Sequence, residues 1–471
     1  MPRPVRISVI GAGSGVFSLG LVKDICLTPN LAGSEVSFMD IDAERLDFVT
    51  KLATRYAREL GVDLRFEQTL DRAASLRDAD FVINTAYPLG HHHARRMREL
   101  TARHGYYYGA VDLGDFYELR LMMDVARDME RICPNAWLIQ SGNPVFDGCT
   151  LMTRETGLKI IGLCHGHYGY LEICRVLELD PSRVTWEAPG LNHCIWLTQF
   201  RYDGKDAYSL LDEWIETKAE EYWRTHVAER THDIQMSRGT IHQYRMYGLM
   251  PIGDTPRTST NTSNWWYHTD LATKKFWFGE PFGGPDTEIA RPFYVANLEE
   301  RLRQMKAVAE DPRARVTDIF GTTRTREQQV PIIDALVNNV EGRFQVNIPN
   351  RGVIDGLPDD VVVEVPAIIN ATGVHPIKPT PLPRKIMLEQ IYPRWLEMER
   401  GLEAYRTGDL SMLLWIALNN HQTRTYEQAV AVIQDLLAMP EHAELRAYYR
   451  GFDGTGTRWC RTERRESSGA V

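Results

Sequence analysis

Residues 6–15 of the chain read RISVIGAGSG, and this stretch decides the fold class. Arg6–Ile10 is a short, mostly apolar run that ends in glycines, which is typical of a strand buried in a parallel sheet. Gly11-Ala12-Gly13-Ser14 follows at once and opens a predicted helix over Val16–Ile25. Glycines at such a turn let the backbone approach a pyrophosphate, whose charge is met by the helix N-terminus. We therefore predict that Gly11, Gly13 and Ser14 contact a dinucleotide.

The second predicted strand supports this interpretation. It covers Val36–Met39 and closes on Asp40, where an acid accepts hydrogen bonds from a ribose hydroxyl. Asp42, and not Asp40, is the predicted N-cap of the amphipathic helix over residues 43–60. Asp40 would repel a 2′-phosphate, so the pattern favours NAD over NADP. The loop departs from the usual glycine pattern only at Val16, where the third glycine would fall.

Further strands are predicted at Phe81–Thr85, Trp137–Gln140 and Ile160–Leu163. Strands that alternate with helices in this way indicate a Rossmann-like, doubly wound parallel sheet of α/β class, as in lactate and malate dehydrogenases. The alternation is lost after about residue 195. We predict an NAD-binding domain over residues 1–195, a mixed α+β domain for substrate binding and oligomerisation over 196–452, and a flexible tail over 453–471.

Composition excludes several classes of protein. The chain has 471 residues, with 54 Lys and Arg against 63 Asp and Glu, and this net charge of −9 argues against nucleic-acid binding. We expect no membrane-spanning segment, because no run of about 18 apolar residues occurs. The start is too short and too polar for a secretory signal, and seven scattered cysteines without a CxxC pair indicate no disulfide framework. These features favour the reducing cytoplasm.

A cysteine and a histidine lie at predicted strand ends. Ile160–Leu163 runs into Cys164-His165-Gly166-His167, and the segment Gly190-Leu191-Asn192-His193 ends a later loop. A thiolate and an imidazole from Cys164 and His193 would suit a divalent transition metal, with further positions open to substrate. The alternative is an inert buried cysteine beside an ordinary polar histidine, because two residues are a short metal signature.

Two other segments carry polar side chains that could reach the same crevice. Asn143 lies in Ser141–Pro144 after a predicted strand, where it could bind a substrate hydroxyl or simply form a turn. Asp254 and Arg257 lie three residues apart in Pro251–Arg257, as substrate-site residues or as a surface ion pair. The run His91–His93 could also place one imidazole near the site.

These motifs, in this order, resemble the glycoside hydrolases of family 4, which use NAD instead of the usual pair of carboxylates. The resemblance covers nearly the whole chain and includes the late segments Val346–Asn350 and Val362–Pro366. The Cys-His-Gly-His tetrad resembles the branch that contains α-glucosidases acting on unphosphorylated sugars, which has relatives acting on α-uronides. Members of the family are usually homodimers or homotetramers.

The resemblance implies a role for each candidate residue. Cys164 and His193 would hold Mn²⁺ or another divalent metal, while Asn143 and Arg257 would bind the sugar. His165 would be the acid that protonates the leaving oxygen.

The resemblance leaves the base less defined. Other branches use a tyrosine in the segment where this chain has Asp254, so Asp254 is the predicted base, and a metal-bound water is the alternative.

The mechanism implied by the family is transient oxidation of the sugar. NAD⁺ takes hydride from C3, a base removes the C2 proton, the glycosidic oxygen leaves, water adds, and the hydride returns. The predicted substrate is an unphosphorylated α-glucoside. An anionic α-glycoside, such as a glucuronide, a galacturonide or a sulfonated sugar, is the first alternative. An NAD-dependent 2-hydroxyacid dehydrogenase and a non-catalytic NAD sensor are alternatives from other classes.

Overall fold

The computed structural model describes residues 3–15, 17–107, 115–257 and 264–449. Within these ranges the strands are β1 (Arg6–Ile10), β2 (Glu35–Met39), β3 (Arg65–Thr69), β4 (Phe81–Asn84), β5 (Trp137–Gln140), β6 (Lys159–Gly162), β7 (Val184–Glu187), β8 (Gly190–Leu191), β9 (Cys194–Leu197), β10 (Gln199–Tyr202), β11 (Lys205–Asp206), β12 (Met250–Ile252), β13 (Gly342–Pro349), β14 (Val362–Asn370) and β15 (Gly373–Pro376).

The α-helices up to residue 247 are α1 (Ser18–Cys26), α2 (Ala43–Leu60), α3 (Arg72–Leu76), α4 (Gly90–Arg103), α5 (Phe116–Ile132), α6 (Val145–Glu155), α7 (Gly169–Val176), α8 (Tyr208–Thr217), α9 (Ala219–Thr225) and α10 (Arg238–Tyr247). Of these helices, α1, α2, α3, α5 and α6 pack around the parallel strands, and α7, α8 and α10 belong to a second core. Short 3₁₀ turns cover Pro29–Leu31, Gly166–Tyr168, Pro181–Arg183, Trp265–Tyr267 and Pro440–His442.

The second half is mainly helical apart from its long hairpin of β13 and β14. Its helices are α11 (Leu271–Phe278), α12 (Ala290–Glu310), α13 (Val316–Phe320), α14 (Gln329–Asn338), α15 (Arg384–Ile386), α16 (Tyr392–Thr407), α17 (Leu410–Leu418), α18 (Tyr426–Ala438) and α19 (Ala443–Tyr448), with one π-helical turn at Met387–Ile391.

The parallel half of the large sheet confirms the predicted fold class. Its order is β3-β2-β1-β4-β5-β6, all parallel, which is the classic order of a dinucleotide-binding sheet. The predicted strands occur within one residue of their expected ends, and Asp42 caps α2 by accepting from the backbone N–H groups of Glu44 and Arg45. Strand β3 was not predicted, because its side chains are largely exposed and form no apolar run.

Most strands of the second half extend the same sheet, while β7, β10 and β11 form a separate antiparallel sheet of three strands. Beyond β6 the order continues β13-β14-β8-β9-β12, with these neighbours antiparallel. β15 pairs with β14 on the edge that β8 also uses, further along the strand. One buried core continues from Val9 of β1 to Val363 of β14. The sheet and its core therefore cross residue 195, and the domain division there stays a prediction. The predicted tail and Cys460 lie outside the described residues.

Two expectations from composition can be compared with the structure. Five of the described cysteines are buried, Cys164 is half-buried, and all six are free of disulfides. No helix of the described ranges is both long enough and apolar enough to cross a membrane.

Candidate active site

The glycine loop follows β1 at the boundary between β1 and β4. The strand order changes direction there, so this boundary is the switch point of the doubly wound sheet. Gly11 has φ +83°, and a Cβ atom there would lie 2.6 Å from the Cα atom of Ala86. Only glycine combines this backbone conformation with so close an approach of the two loops. The loop therefore brings backbone, without side chains, to the edge where a dinucleotide would lie.

Asp40 fastens the glycine loop to the end of β2. Its Oδ2 accepts a hydrogen bond from Gly13 N at 2.7 Å, and its Oδ1 accepts one from Asp42 N at 3.0 Å. Each oxygen keeps a second lone pair for a further donor. Asp40 is thus in the predicted position, and contact with a ribose hydroxyl stays a prediction.

Cys164, His193 and Asp254 converge at the ends of three separate segments. Cys164 follows β6, His193 lies in the turn between β8 and β9, and Asp254 follows β12. One ligand atom from each residue lies within 4.8 Å of the other two, so we call these three residues the metal triad. A sulfur, an imidazole nitrogen and a carboxylate oxygen form a donor set that fits a divalent transition metal. Of the two interpretations of Cys164 and His193, the geometry favours the metal site.

The protonation of two triad members suits a cation. Burial lowers the pKa of His193 to about 4, so its ring is neutral at pH 7, as metal ligation requires. Burial alone would raise the pKa of Asp254, but Arg257 and His193 hold it well below its usual range. Burial raises the pKa of the Cys164 thiol to about 12, and a coordinated cation would reverse this effect by favouring the thiolate.

Arg257 connects the metal triad to a cluster of arginines. Its Nε donates to Asp254 Oδ1 at 2.8 Å, and its Nη1 donates to Asp286. Asp286 Oδ1 also pairs with Arg291 Nη2 at 3.0 Å and with Arg98 Nη1 at 3.2 Å. Three guanidinium groups therefore share one buried carboxylate, and we call these four residues the arginine cluster. Arg257 is thus a partly buried residue beside the site and not half of a surface ion pair.

Asp286, Arg98 and Arg291 were not identified from the sequence. They lie on the chain far from Arg257, and nothing in their local pattern distinguishes them from ordinary surface charges. Only the folded chain brings them together.

His165 has a partner that sequence reasoning also missed. Its Nδ1 lies 2.8 Å from Glu327 Oε1, and Gln329 Nε2 donates to the other carboxylate oxygen at 3.2 Å. The hydrogen bond to Glu327 raises the pKa of His165 against the opposing effect of burial. Gln329 Nε2 also donates to Ser141 Oγ at 3.0 Å, which links this pair to the loop that carries the exposed Asn143.

The three histidines of the run at positions 91–93 face three different neighbours. His92 Nε2 lies 2.9 Å from Glu299 Oε1, and His93 Nε2 lies 2.7 Å from the Nε2 atom of His442. The ring of His91 packs between Tyr87 and Tyr294. Burial and the charges of Arg291 and Arg98 lower the pKa of His91 to about 4, so it borders the arginine cluster.

Comparison with known families covers both halves of the chain. The model described as Family 4 glycosyl hydrolase matches residues 6–178. The model described as Family 4 glycosyl hydrolase C-terminal domain matches residues 188–423.

Individual relatives are similar along most of their length. An α-glucosidase of Erwinia rhapontici is 28% identical over 79% of this chain and 84% of its own. An α-galactosidase of Bacillus subtilis (strain 168) is 26% identical over 81% of this chain and 85% of its own. The crystal structure of a 6-phospho-α-glucosidase from gut microorganisms, in complex with NAD and Mn²⁺, is 17% identical with a TM-score of 0.74, covering 92% of this chain and 98% of that one.

The family matches cover most of the described chain, and the family expected from the sequence is confirmed. The match therefore decides between the glycosidase and the 2-hydroxyacid dehydrogenase or NAD sensor that were the alternatives. The chain belongs to family 4 of the glycosyl hydrolases.

Proposed function

We propose that this protein is an NAD- and Mn²⁺-dependent α-glycosidase that hydrolyses O-glycosidic bonds. One observation carries the proposal: the metal triad and the glycine loop belong to loops at strand ends of the same sheet. A cofactor that moves hydride and a cation that binds sugar oxygens can then act on one substrate. The 6-phospho-α-glucosidase of the same fold, crystallised with NAD and Mn²⁺, supports the pairing.

NAD would be held by Gly11, Gly13, Ser14 and Asp40. The backbone of the glycine loop and the start of α1 would face the pyrophosphate, because helix N-termini favour anions. Asp40 would accept from the ribose hydroxyls while it holds Gly13 in place. The bound cofactor would supply a hydride acceptor that is restored in every cycle.

The metal would be held by Cys164, His193 and Asp254. A divalent cation there would supply a Lewis acid that polarises a sugar oxygen. We assign Asp254 to the metal instead of to proton abstraction, which revises the expectation from sequence. One of its oxygens faces His193 and the other Arg257, and a carboxylate with so low a pKa is a weak base.

His165 would protonate the leaving glycosidic oxygen. Because Nδ1 faces Glu327, the Nε2 edge of the ring is left to face the substrate. Glu327 would hold the ring in the orientation that proton transfer needs. Asn143 and Arg257 would bind sugar hydroxyls at the same edge of the sheet.

The preferred substrate class is an unphosphorylated α-glucoside, by the resemblance of the Cys-His-Gly-His tetrad and the similarity to an α-glucosidase. A second candidate is an anionic α-glycoside, and one observation favours it. In the arginine cluster three guanidinium groups surround Asp286, and only Arg257 also pairs with Asp254, so three positive charges meet two carboxylates next to the metal triad. A sugar with a carboxylate, sulfonate or phosphate would balance that excess.

The test is a panel of nitrophenyl α-glycosides with purified protein, NAD⁺, Mn²⁺ and a thiol reductant. The panel includes glucoside, galactoside, glucuronide, galacturonide and 6-phosphoglucoside. We expect release of nitrophenol to stop when NAD⁺ or Mn²⁺ is omitted, and deuterium from D₂O to appear at C2 of the released sugar. Release that needs neither cofactor would contradict the proposal, and the substrate with the highest kcat/KM decides between neutral and anionic sugars.

A further inference from the structure

A row of residues crosses the large sheet behind the metal triad. Strands β13 and β14, from the second half of the chain, lie between β6 and β8. Asn347 of β13 is paired with Gly162 of β6 on one side and with Glu364 of β14 on the other. Glu364 is in turn paired with Gly190 of β8. This register places an acidic side chain between the segments that lead to Cys164 and His193.

Glu364 is connected to Cys164 through a single side chain. The Nδ2 atom of Asn192 donates to Glu364 Oε2 at 2.9 Å. The Asn192 side chain also faces Cys164, whose thiol pKa it lowers against the larger effect of burial. Glu364 and Asn192 are 1% and 2% exposed, so water does not compete for these contacts. One buried side chain, that of Asn192, therefore lies between Glu364 and Cys164.

The other oxygen of Glu364 is buried on the face of the β13–β14 pair that also carries Asn347, its cross-strand partner, and Gln345. Glu364 Oε1 and the amide oxygens of Gln345 and Asn347 are buried, and within the described ranges none of the three has a hydrogen-bond partner. Gln345 Nε2 donates to Ala188 O at 2.7 Å, which fixes its amide oxygen as the free atom. A buried acceptor without a donor costs about 1–3 kcal/mol. An O–H on Glu364 would supply the missing donor, whereas an ionised carboxylate would add a further acceptor.

We propose that Glu364 is a positioning residue for the metal site, a neutral carboxylic acid that acts through Asn192 to orient the thiolate of Cys164. The inference rests on the proposed metal site, and it adds the residues that would hold the Cys164 ligand in position. Burial raises the pKa of Glu364 to about 7, against the opposing effect of the side chains of Asn192, Gln345 and Asn347. A neutral Glu364 also leaves the thiolate and Asp254 as the two negative charges that balance a divalent cation.

The experiment measures metal binding directly, on full-length protein without substrate. Co²⁺ is titrated into the metal-free protein, and the thiolate-to-cobalt charge-transfer absorption reports ligation by Cys164. The Mn²⁺ affinity follows from competition with Co²⁺. Four variants are compared with the parent protein: Glu364→Leu, Glu364→Gln, Asn192→Ala and, as a control, Glu399→Gln, whose carboxylate pairs with Arg154 on another part of the chain.

We expect Glu364→Leu and Asn192→Ala to weaken Mn²⁺ binding by about 10- to 100-fold and to shift or weaken the thiolate band, as loss of an outer-shell partner does. Glu364→Gln should bind within about threefold of the parent, because an amide keeps both the acceptor for Asn192 and a donor for Gln345 or Asn347. Glu399→Gln should match the parent. If Glu364→Leu does not fold, Glu364→Gln and Asn192→Ala decide the question.

Two outcomes would overturn the inference while the proposed function stands: unchanged metal binding in Asn192→Ala, or a loss in Glu364→Gln as large as in Asn192→Ala. The second would mean that the ionised carboxylate itself is needed. A parent protein that binds Co²⁺ without a thiolate band would instead overturn the proposed metal site, and this inference with it.

Discussion

The two halves of the large sheet build two different kinds of site. At the parallel half, the glycine loop is one continuous segment. Its shape depends on the backbone and on the absence of a Cβ atom at Gly11. Where β6 joins the antiparallel half, the metal triad takes one side chain from each of three segments, which meet because β6, β13, β14, β8, β9 and β12 follow one another in the sheet. A substitution in the first region should therefore act through local geometry, and one in the second through the identity of a donor atom.

The largest effect is expected from Cys164→Ser. The substitution keeps size and shape but removes the soft sulfur donor, so Mn²⁺-dependent activity should fall by about 10³-fold or more, because a catalytic cation supplies several kcal/mol to the transition state. Thermal stability should stay near that of the parent. The measurement is kcat/KM over a range of Mn²⁺ concentrations, and unchanged Mn²⁺ dependence would contradict a ligand role for Cys164.

Asp254→Asn distinguishes a role of Asp254 as a metal ligand from a role as the catalytic base. As a weakened ligand, it should raise the Mn²⁺ concentration needed for half-maximal activity by about 10- to 100-fold, with much of kcat recovered at saturating Mn²⁺. As a lost base, it would instead lower kcat at every Mn²⁺ concentration. Steady-state kinetics over a range of Mn²⁺ concentrations, at saturating NAD⁺, distinguish the two, and a kcat deficit that Mn²⁺ does not repair would restore the base assignment.

Gly11→Ala tests the glycine loop, which is the site of the parallel half of the sheet. A Cβ atom in a left-handed conformation costs about 1–2 kcal/mol, and here it also meets the backbone of Ala86. NAD⁺ affinity should fall by about tenfold or more, while the Co²⁺–thiolate absorption should not change. Gly61→Ala is the matched control, because Gly61 also has a left-handed φ (+67°) but nothing within 4 Å of the added atom. Equal losses of NAD⁺ binding in both variants would mean that the close approach at Gly11 is unimportant.

The smallest effect is expected from Asp40→Asn. The amide oxygen can still accept from Gly13 N, so the glycine loop should keep its shape, although the hydrogen bond from Asp42 N to the second carboxylate oxygen is lost. Removal of the negative charge should improve the affinity for NADP⁺ relative to NAD⁺ by about two- to fivefold, the size of a partly exposed charge interaction. Fluorescence titration of both cofactors measures the ratio, and an unchanged ratio would place the 2′ position away from Asp40.

The same contrast explains how much the sequence could predict. Strand β1, the glycine loop and α2 with its cap at Asp42 depend on neighbouring residues, so local patterns were enough to predict them. Cys164 and His193 were also identified, because each stands at a strand end inside a short motif. Strand β3 was missed because its polar, exposed side chains carry no apolar signal.

Long-range pairing accounts for the remaining differences. The position of Asp254 beside His193 depends on the antiparallel pairing of β12 with β9, which no local pattern encodes. Glu327 reaches His165 from 162 residues away, and Glu364 reaches Asn192 from 172 residues away. Such contacts require the order of strands in the sheet. A strand at Val361–Val365 is predicted from the sequence and lies within one residue of the start of β14, but its pairing with β13 and β8 is not.

One measurement tests the central claim that a single divalent cation is held by the metal triad beside the cofactor. It is the anomalous-scattering map of a crystal grown with NAD⁺ and Mn²⁺, recorded near the manganese absorption edge. We expect one strong peak bonded to the sulfur of Cys164, a ring nitrogen of His193 and a carboxylate oxygen of Asp254. A crystal of active protein with manganese bound elsewhere, or with Asp254 outside the coordination shell, would contradict the account.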